Sequence, residues 1–135
     1  MIVPAFVDTN VVVYALGVDT DRRETAIKLL AEGVLVSAQV INETVSVLLG
    51  KQKFSREDAY EVAQSLLDLC EVLPVDTETL RAAMHLATHY SLSHWDALIV
   101  AAALLAGCDT LYSEDMQHGQ VFDRQLVVIN PFFSG

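Results

Sequence analysis

Apolar residues run almost unbroken from Met1 to Val7, and the run ends on the polar triplet Asp8-Thr9-Asn10. A short, β-rich, continuously apolar segment predicts a strand buried on both faces of a parallel sheet. Pro4 is tolerated there because it stands near the strand's start. Val11 to Leu16 predicts a short helix that Gly17 ends. Asp21-Arg22-Arg23-Glu24 then has capping-box spacing, with Ala26, Ile27, Leu30 and Ala31 as one apolar face behind it. Gly33 stops that helix, and Val34-Leu35-Val36 predicts a second strand. Ser37 caps a helix in which Ile41, Thr44, Val45 and Leu48 recur at helical spacing up to Gly50.

Ser55-Arg56-Glu57-Asp58 forms another capping box, followed by the stripe Ala59, Val62, Ala63, Leu66, Leu67 and Cys70. Val72-Leu73-Pro74-Val75 predicts a short strand whose proline places it at a sheet edge. A helix from about Thr77 to Tyr90 turns Leu80, Ala83, Met84 and Ala87 inward. Ser93 caps the next, His94 to Ala106, which is apolar nearly all round and is expected to be the most buried helix. After Gly107, strands are predicted at Asp109–Tyr112 and Leu126–Ile129. Alternating strands and helices imply a parallel sheet covered on both faces, a three-layer α/β/α sandwich. No linker or repeat divides the chain, so residues 1–135 are read as one domain.

Composition narrows the classes. An apolar fraction of 53% with 19% charged residues fits a folded core. The net charge of −10 repels phosphate backbones, so a nucleic acid needs a local basic patch or metal ions held by carboxylates. Cys70 and Cys108 form no CxxC pair and read as small buried hydrophobes in a reducing compartment. No signal peptide is read, and the longest apolar run, Ala97 to Ala106, is far short of the roughly 20 residues of a membrane span. No membrane association and a cytoplasmic location are therefore expected.

Chemistry gathers on carboxylates. Asp8 ends the first strand and Asp115 follows the strand ending at Tyr112, which places both above the carboxyl edge of a doubly wound sheet. Asp96 stands in the first turn of the buried helix, beside the same edge. Each has a plainer reading: Asp8 as a helix N-cap, Asp96 as a capping-box residue after Ser93, Asp115 as a turn aspartate. Glu43 lies on the wheel opposite Ile41 and Val45, the phase of a solvated glutamate. Together, however, crowded carboxylates raise one another's pKa, and a divalent cation resolves the repulsion. With only oxygen ligands on offer, Mg²⁺ or Mn²⁺ is favoured over zinc. Such a metal can activate water for displacement at phosphorus.

Val7-Asp8-Thr9-Asn10, Ser37 through Asn42-Glu43, His94-Trp95-Asp96-Ala97 and Leu111-Tyr112-Ser113-Glu114-Asp115 resemble, in order, the successive motifs of PIN-domain ribonucleases, especially VapC-type toxins of toxin–antitoxin pairs. The resemblance spans essentially the whole chain. It implies a PIN-like sandwich and a Mg²⁺- or Mn²⁺-dependent endoribonuclease acting on structured RNA. It also implies a homodimer and inhibition by a small antitoxin. By match of position it makes Asp8, Glu43, Asp96 and Asp115 the catalytic and metal-binding quartet, and this overrides the phase of Glu43. Thr9, Asn10 and Ser113 match supporting polar positions, and Glu114 is an extra acidic neighbour.

The remaining candidates are weaker. His85 and His89 are spaced i,i+4 but lack the glutamate of HExxH, and with Arg81 they read as a solvated stripe. His118 reads as a surface-loop residue, His94 as support for its helix start, and Trp95 as a core or interface aromatic. Lys51, Lys53 and Arg56, and separately Arg22-Arg23, are candidate contacts to RNA phosphates, with loop solubility as the plainer reading. Apolar surface for a dimer or antitoxin is expected on the helices between Asp21 and Leu49. Alternatives to the ribonuclease are a PIN-fold nuclease for DNA or another nucleic acid, a non-catalytic PIN-like binding module, and a receiver-like phosphoacceptor. The last needs a lysine at the end of a late strand, which Ser113-Glu114-Asp115 does not offer.

Overall fold

Side chains alternate across a strand, and in β1 (Ala5–Val7) both Phe6 and Val7 are fully buried. Leu35 and Val36 in β2 (Val34–Ser37) are likewise buried. Strands this apolar on both faces need a layer of helices on each side. In the computed structural model, which describes residues 4–133, they have it. The predicted run from Met1 to Val3 lies outside the described residues.

The helices in chain order are α1 (Thr9–Ala15), α2 (Thr20–Ala31), α3 (Ala38–Leu49), α4 (Arg56–Leu69), α5 (Thr77–Tyr90) and α6 (His94–Leu105). The later strands are β3 (Glu71–Leu73), β4 (Thr110–Tyr112), β5 (Val121–Phe122) and β6 (Leu126–Ile129). The six-stranded sheet runs β3-β2-β1-β4-β6-β5, parallel throughout except for β5 against β6. This is the expected three-layer sandwich. β1 is its switch point: β2 and β3 lie to one side, β4 and β6 to the other, and a crevice opens at the carboxyl ends there.

The core is built around α6, in which Ala97 through Ala103 are all buried. Small side chains on that helix let it lie close to its neighbours, α5 and α3. β3 takes the predicted sheet edge, with Pro74 just past its end.

Several details depart from the pattern reading. α1 begins at Thr9 rather than Val11, because Asp8 is its N-cap. α2 is capped by Asp19, whose side chain accepts from the Arg22 backbone N–H, so the predicted cap at Asp21 falls in the first turn. Its buried stripe runs through Ala26 with Leu29 and Leu30, while Ile27 and Ala31 are exposed. In α5 the buried positions are Thr79, Ala83 and Leu86, leaving Leu80 and Met84 exposed. Leu67 of α4 is likewise exposed. β5 was not predicted: two residues carry no periodicity. Exposed large apolar residues lie on α4 and α5 (Leu69, Met84) as well as between Asp21 and Leu49.

Ser55 caps α4 by accepting from the Asp58 backbone N–H at 3.1 Å. Ser55→Ala removes that acceptor alone and is expected to cost about 1 kcal/mol of stability, read from the urea midpoint.

Candidate active site

Strand register assembles the site. Val7 pairs with Tyr112 across β1 and β4, so the next residues, Asp8 and Ser113, emerge side by side at the carboxyl edge. The Asp8 backbone N–H donates to the Tyr112 carbonyl at 2.9 Å and continues the ladder. The Ser113 hydroxyl, fully buried, donates to Asp8 Oδ2 at 2.8 Å. The Thr9 backbone N–H donates to Asp8 Oδ1 at 2.7 Å. Asp8 is thus a helix cap and a site carboxylate at once, with only 5% of its surface exposed.

Asn10, one residue into α1, ties the two strand ends together. Its Nδ2 donates to Asp8 Oδ2 at 3.3 Å and to Asp115 Oδ2 at 3.2 Å, while its Oδ1 accepts from the Glu114 backbone N–H at 3.0 Å. The Ser113 oxygen also accepts the backbone N–H groups of Asp115 and Met116, which folds the turn carrying Asp115 back over the edge. Glu43 reaches the same place from α3. The Thr9 hydroxyl donates to its Oε2 at 2.6 Å, and Gln39 donates to its Oε1 at 3.0 Å. It is half-buried, not the solvated glutamate its helical phase predicts, because α1 packs against this side of α3.

Asp8, Thr9, Asn10, Glu43, Asp96 and Asp115 line one cavity of about 490 Å³, together with Tyr14, Lys51, Gln52 and Glu114. Burial, above all, pushes the Asp8 carboxyl up to about 6, and repulsion from Asp96 and Glu43 adds to this against the hydrogen bonds from Ser113 and Thr9. Asp96, capped through Ser93, is also raised, first by burial and then by repulsion from Asp115 and Glu43. These acids therefore sense one another's charge.

A divalent cation is the group such a set would accept. The donor chemistry fits: every candidate ligand is a carboxylate oxygen, the hard donor that Mg²⁺ and Mn²⁺ take. As the side chains stand, oxygens of Asp8, Glu43 and Asp115 accept from protein donors. Among the described residues no three His, Cys, Asp or Glu side chains converge as a ready-made metal site.

Other predicted residues separate. Lys51 lines the cavity, whereas Lys53 and Arg56 do not. His85 and His89 are exposed and stacked on each other at 6.2 Å, in keeping with a solvated stripe. His118 accepts the Asn130 backbone N–H and stacks on Phe133 at 4.4 Å, a tail contact outside the cavity. Sequence reasoning missed a cluster on the rim. Glu114 accepts from the Tyr14 hydroxyl at 2.6 Å and from Arg22 Nε at 3.0 Å, and the Arg22 guanidinium lies 5.3 Å from the Tyr14 ring centroid. Glu114 lies 100 positions from Tyr14 and 92 from Arg22, with no local signal to join them. Both Glu114 oxygens are occupied there, while Asp115 faces Asn10.

Solved structures share the architecture. VapC20 of Mycobacterium tuberculosis, described as a Sarcin-Ricin loop cleaving toxin, superposes with a TM-score of 0.68 at 23% identity, covering 82% of this chain and 89% of that one. FitAcB from Neisseria gonorrhoeae gives 0.69 at 25% identity over 94% and 97%. VapBC2 from Rickettsia felis, bound to a DNA fragment from their promoter, gives 0.67 at 18% over 92% and 96%. No curated protein matches the chain. The family model for the PIN domain matches residues 5–121, a span that runs from β1 to β5 and takes in all five acids lining the cavity. The chain belongs to the PIN-domain family.

Proposed function

We propose that this protein is a divalent-metal-dependent endoribonuclease and the toxin of a toxin–antitoxin pair. The observation that carries the reading is the buried carboxylate of Asp8, held at the switch point of the sheet in one cavity with Glu43, Asp96 and Asp115. A carboxylate kept there against its own desolvation, beside three more, is costly for folding and has a use if a cation offsets the charge. Asp8, Asp96 and Asp115 would hold Mg²⁺ or Mn²⁺, with Glu43 completing the set. When bound, the metal supplies a water activated for attack on a phosphodiester and neutralises charge developing on phosphate.

The chain's own residues prepare that place. Ser113 and the Thr9 backbone N–H fix the Asp8 carboxylate, Asn10 sets its distance from Asp115, and the Thr9 hydroxyl aims Glu43. Lys51 on the cavity wall offers a cation to an incoming phosphate in a protein whose net charge otherwise opposes it. The toxin assignment is supported by the neighbours: VapC20 is named a toxin, and further neighbours come from toxin–antitoxin complexes such as that of Klebsiella pneumoniae. A small antitoxin covering the cavity and a homodimer belong to the same reading.

The test is incubation with total RNA and with DNA, each with Mn²⁺ and with EDTA. Cleavage of RNA with Mn²⁺ alone is expected. Cleavage of DNA only would move the substrate class, and no cleavage of either would leave a binding module. Asn10→Ala should slow cleavage about tenfold to a hundredfold by loosening Asp8 and Asp115, while stability changes by about 1–2 kcal/mol. Initial rates on a fluorogenic RNA, beside urea unfolding, measure both.

A further inference from the structure

Trp95 is the sole tryptophan and exposes 59% of its surface, although the helix it opens is the most buried in the fold. Of the two readings, core or interface aromatic, this exposure removes the first. With Gln39, Asn42, Glu43 and Ser46 of α3 it lines a shallow groove, and Glu43 and Ser46 also line the acidic cavity. Groove and cavity are thus one continuous surface. His94 meets the indole edge-on, with ring centroids 5.5 Å apart.

We infer that Trp95 is a stacking platform for one unpaired nucleobase of the RNA strand, next to the phosphate that enters the acidic cavity. The inference rests on the ribonuclease reading and extends it to how the strand is gripped. Charge alone grips poorly here: Lys51 is the one Lys or Arg lining the cavity among the described residues, against five acids. Stacking supplies affinity that does not depend on charge, because every base has a π-face. The groove suits a base better than an apolar protein segment. Covering it with a hydrophobic side chain would bury Glu43, Gln39 and Asn42 along with the indole. A base instead offers polar edges that the Asn42 and Gln39 amides can meet.

Because there is one indole, its fluorescence reports the groove directly. The intact protein, with Ca²⁺ in place of Mn²⁺ to offset the carboxylates, is titrated with an octa-adenylate and with an abasic oligomer of the same length. Quenching by the first and not by the second is expected. In anisotropy with a labelled octa-adenylate, Trp95→Ala should raise Kd about tenfold, and Trp95→Phe should stay within about threefold of the wild type. Equal quenching by the abasic oligomer, no quenching, or a change that follows protein concentration instead of RNA would overturn the platform. The last would assign the face to a second copy of the chain. Failure of the ribonuclease reading shows separately, as RNA left intact in Mn²⁺.

Discussion

Asp8→Asn should cut RNA cleavage in Mn²⁺ by about a thousandfold or more, the loss of several kcal/mol of metal-derived stabilisation of the transition state. The variant should nevertheless fold at least as well as the wild type at neutral pH. Asparagine keeps an oxygen for the Thr9 N–H, and removal of the buried charge offsets the Ser113 and Asn10 hydrogen bonds that its amide cannot accept. Loss of activity without loss of stability separates a catalytic carboxylate from a structural cap. The cap reading predicts the reverse, lower stability with cleavage retained. Cleavage within tenfold of the wild type would remove Asp8 from the chemistry. Without RNA, Mn²⁺ should stabilise the wild type by about 2.7 kcal/mol at a hundredfold excess over its Kd and leave Asp8→Asn unmoved, as read in thermal melts.

The second large effect is on stability against pH. The Asp8 carboxyl rises from its ordinary 3.8 in the unfolded chain to about 6 in the fold. Below 3.8 both states carry the proton and the group costs nothing. Between 3.8 and about 6 the unfolded chain releases its proton while the fold keeps it, so stability falls as pH rises. Above that window the loss is complete, about 3 kcal/mol for a shift of this size. Asp96 shifts in the same direction and adds to it. Asp19 and Asp76 are lowered by their capping hydrogen bonds and run oppositely, below the ordinary aspartate range. Urea unfolding in EDTA from about pH 4 to pH 8 tests this through the difference between the wild type and Asp8→Asn, which cancels the remaining titrations. A difference that stays flat would mean that Asp8 is ionised without cost.

Much of this was readable from residue pattern, for physical reasons that differ by element. α5 and α6 have the predicted starts, because Asp76 stands ahead of a periodic segment and Ser93 ahead of a long apolar one. The sheet interior is readable because strands buried on both faces admit little but apolar residues. Where the pattern misled, a neighbour decided. Ile27, Leu80 and Met84 have the hydrophobicity of core residues, yet among the described residues no element covers the side of the helix on which they lie. Glu43 shows the converse: hydrogen bonds from Thr9 and Gln39 draw a polar side chain inward against its phase. The Arg22–Tyr14–Glu114 rim exists only once the chain is folded, since no local spacing encodes contacts between residues 92 and 100 positions apart.

The pairing of β1 with β4 also bears on synthesis. Asp8 leaves the ribosome 105 positions ahead of the serine that holds it. A chain released before Ser113 lacks both that hydroxyl and Asp115. Until β4 docks, the first strand has one flank unprotected, and the entropy of closing so long a loop is met late in folding. The nascent chain therefore has no assembled cavity until β4 has emerged and paired with β1.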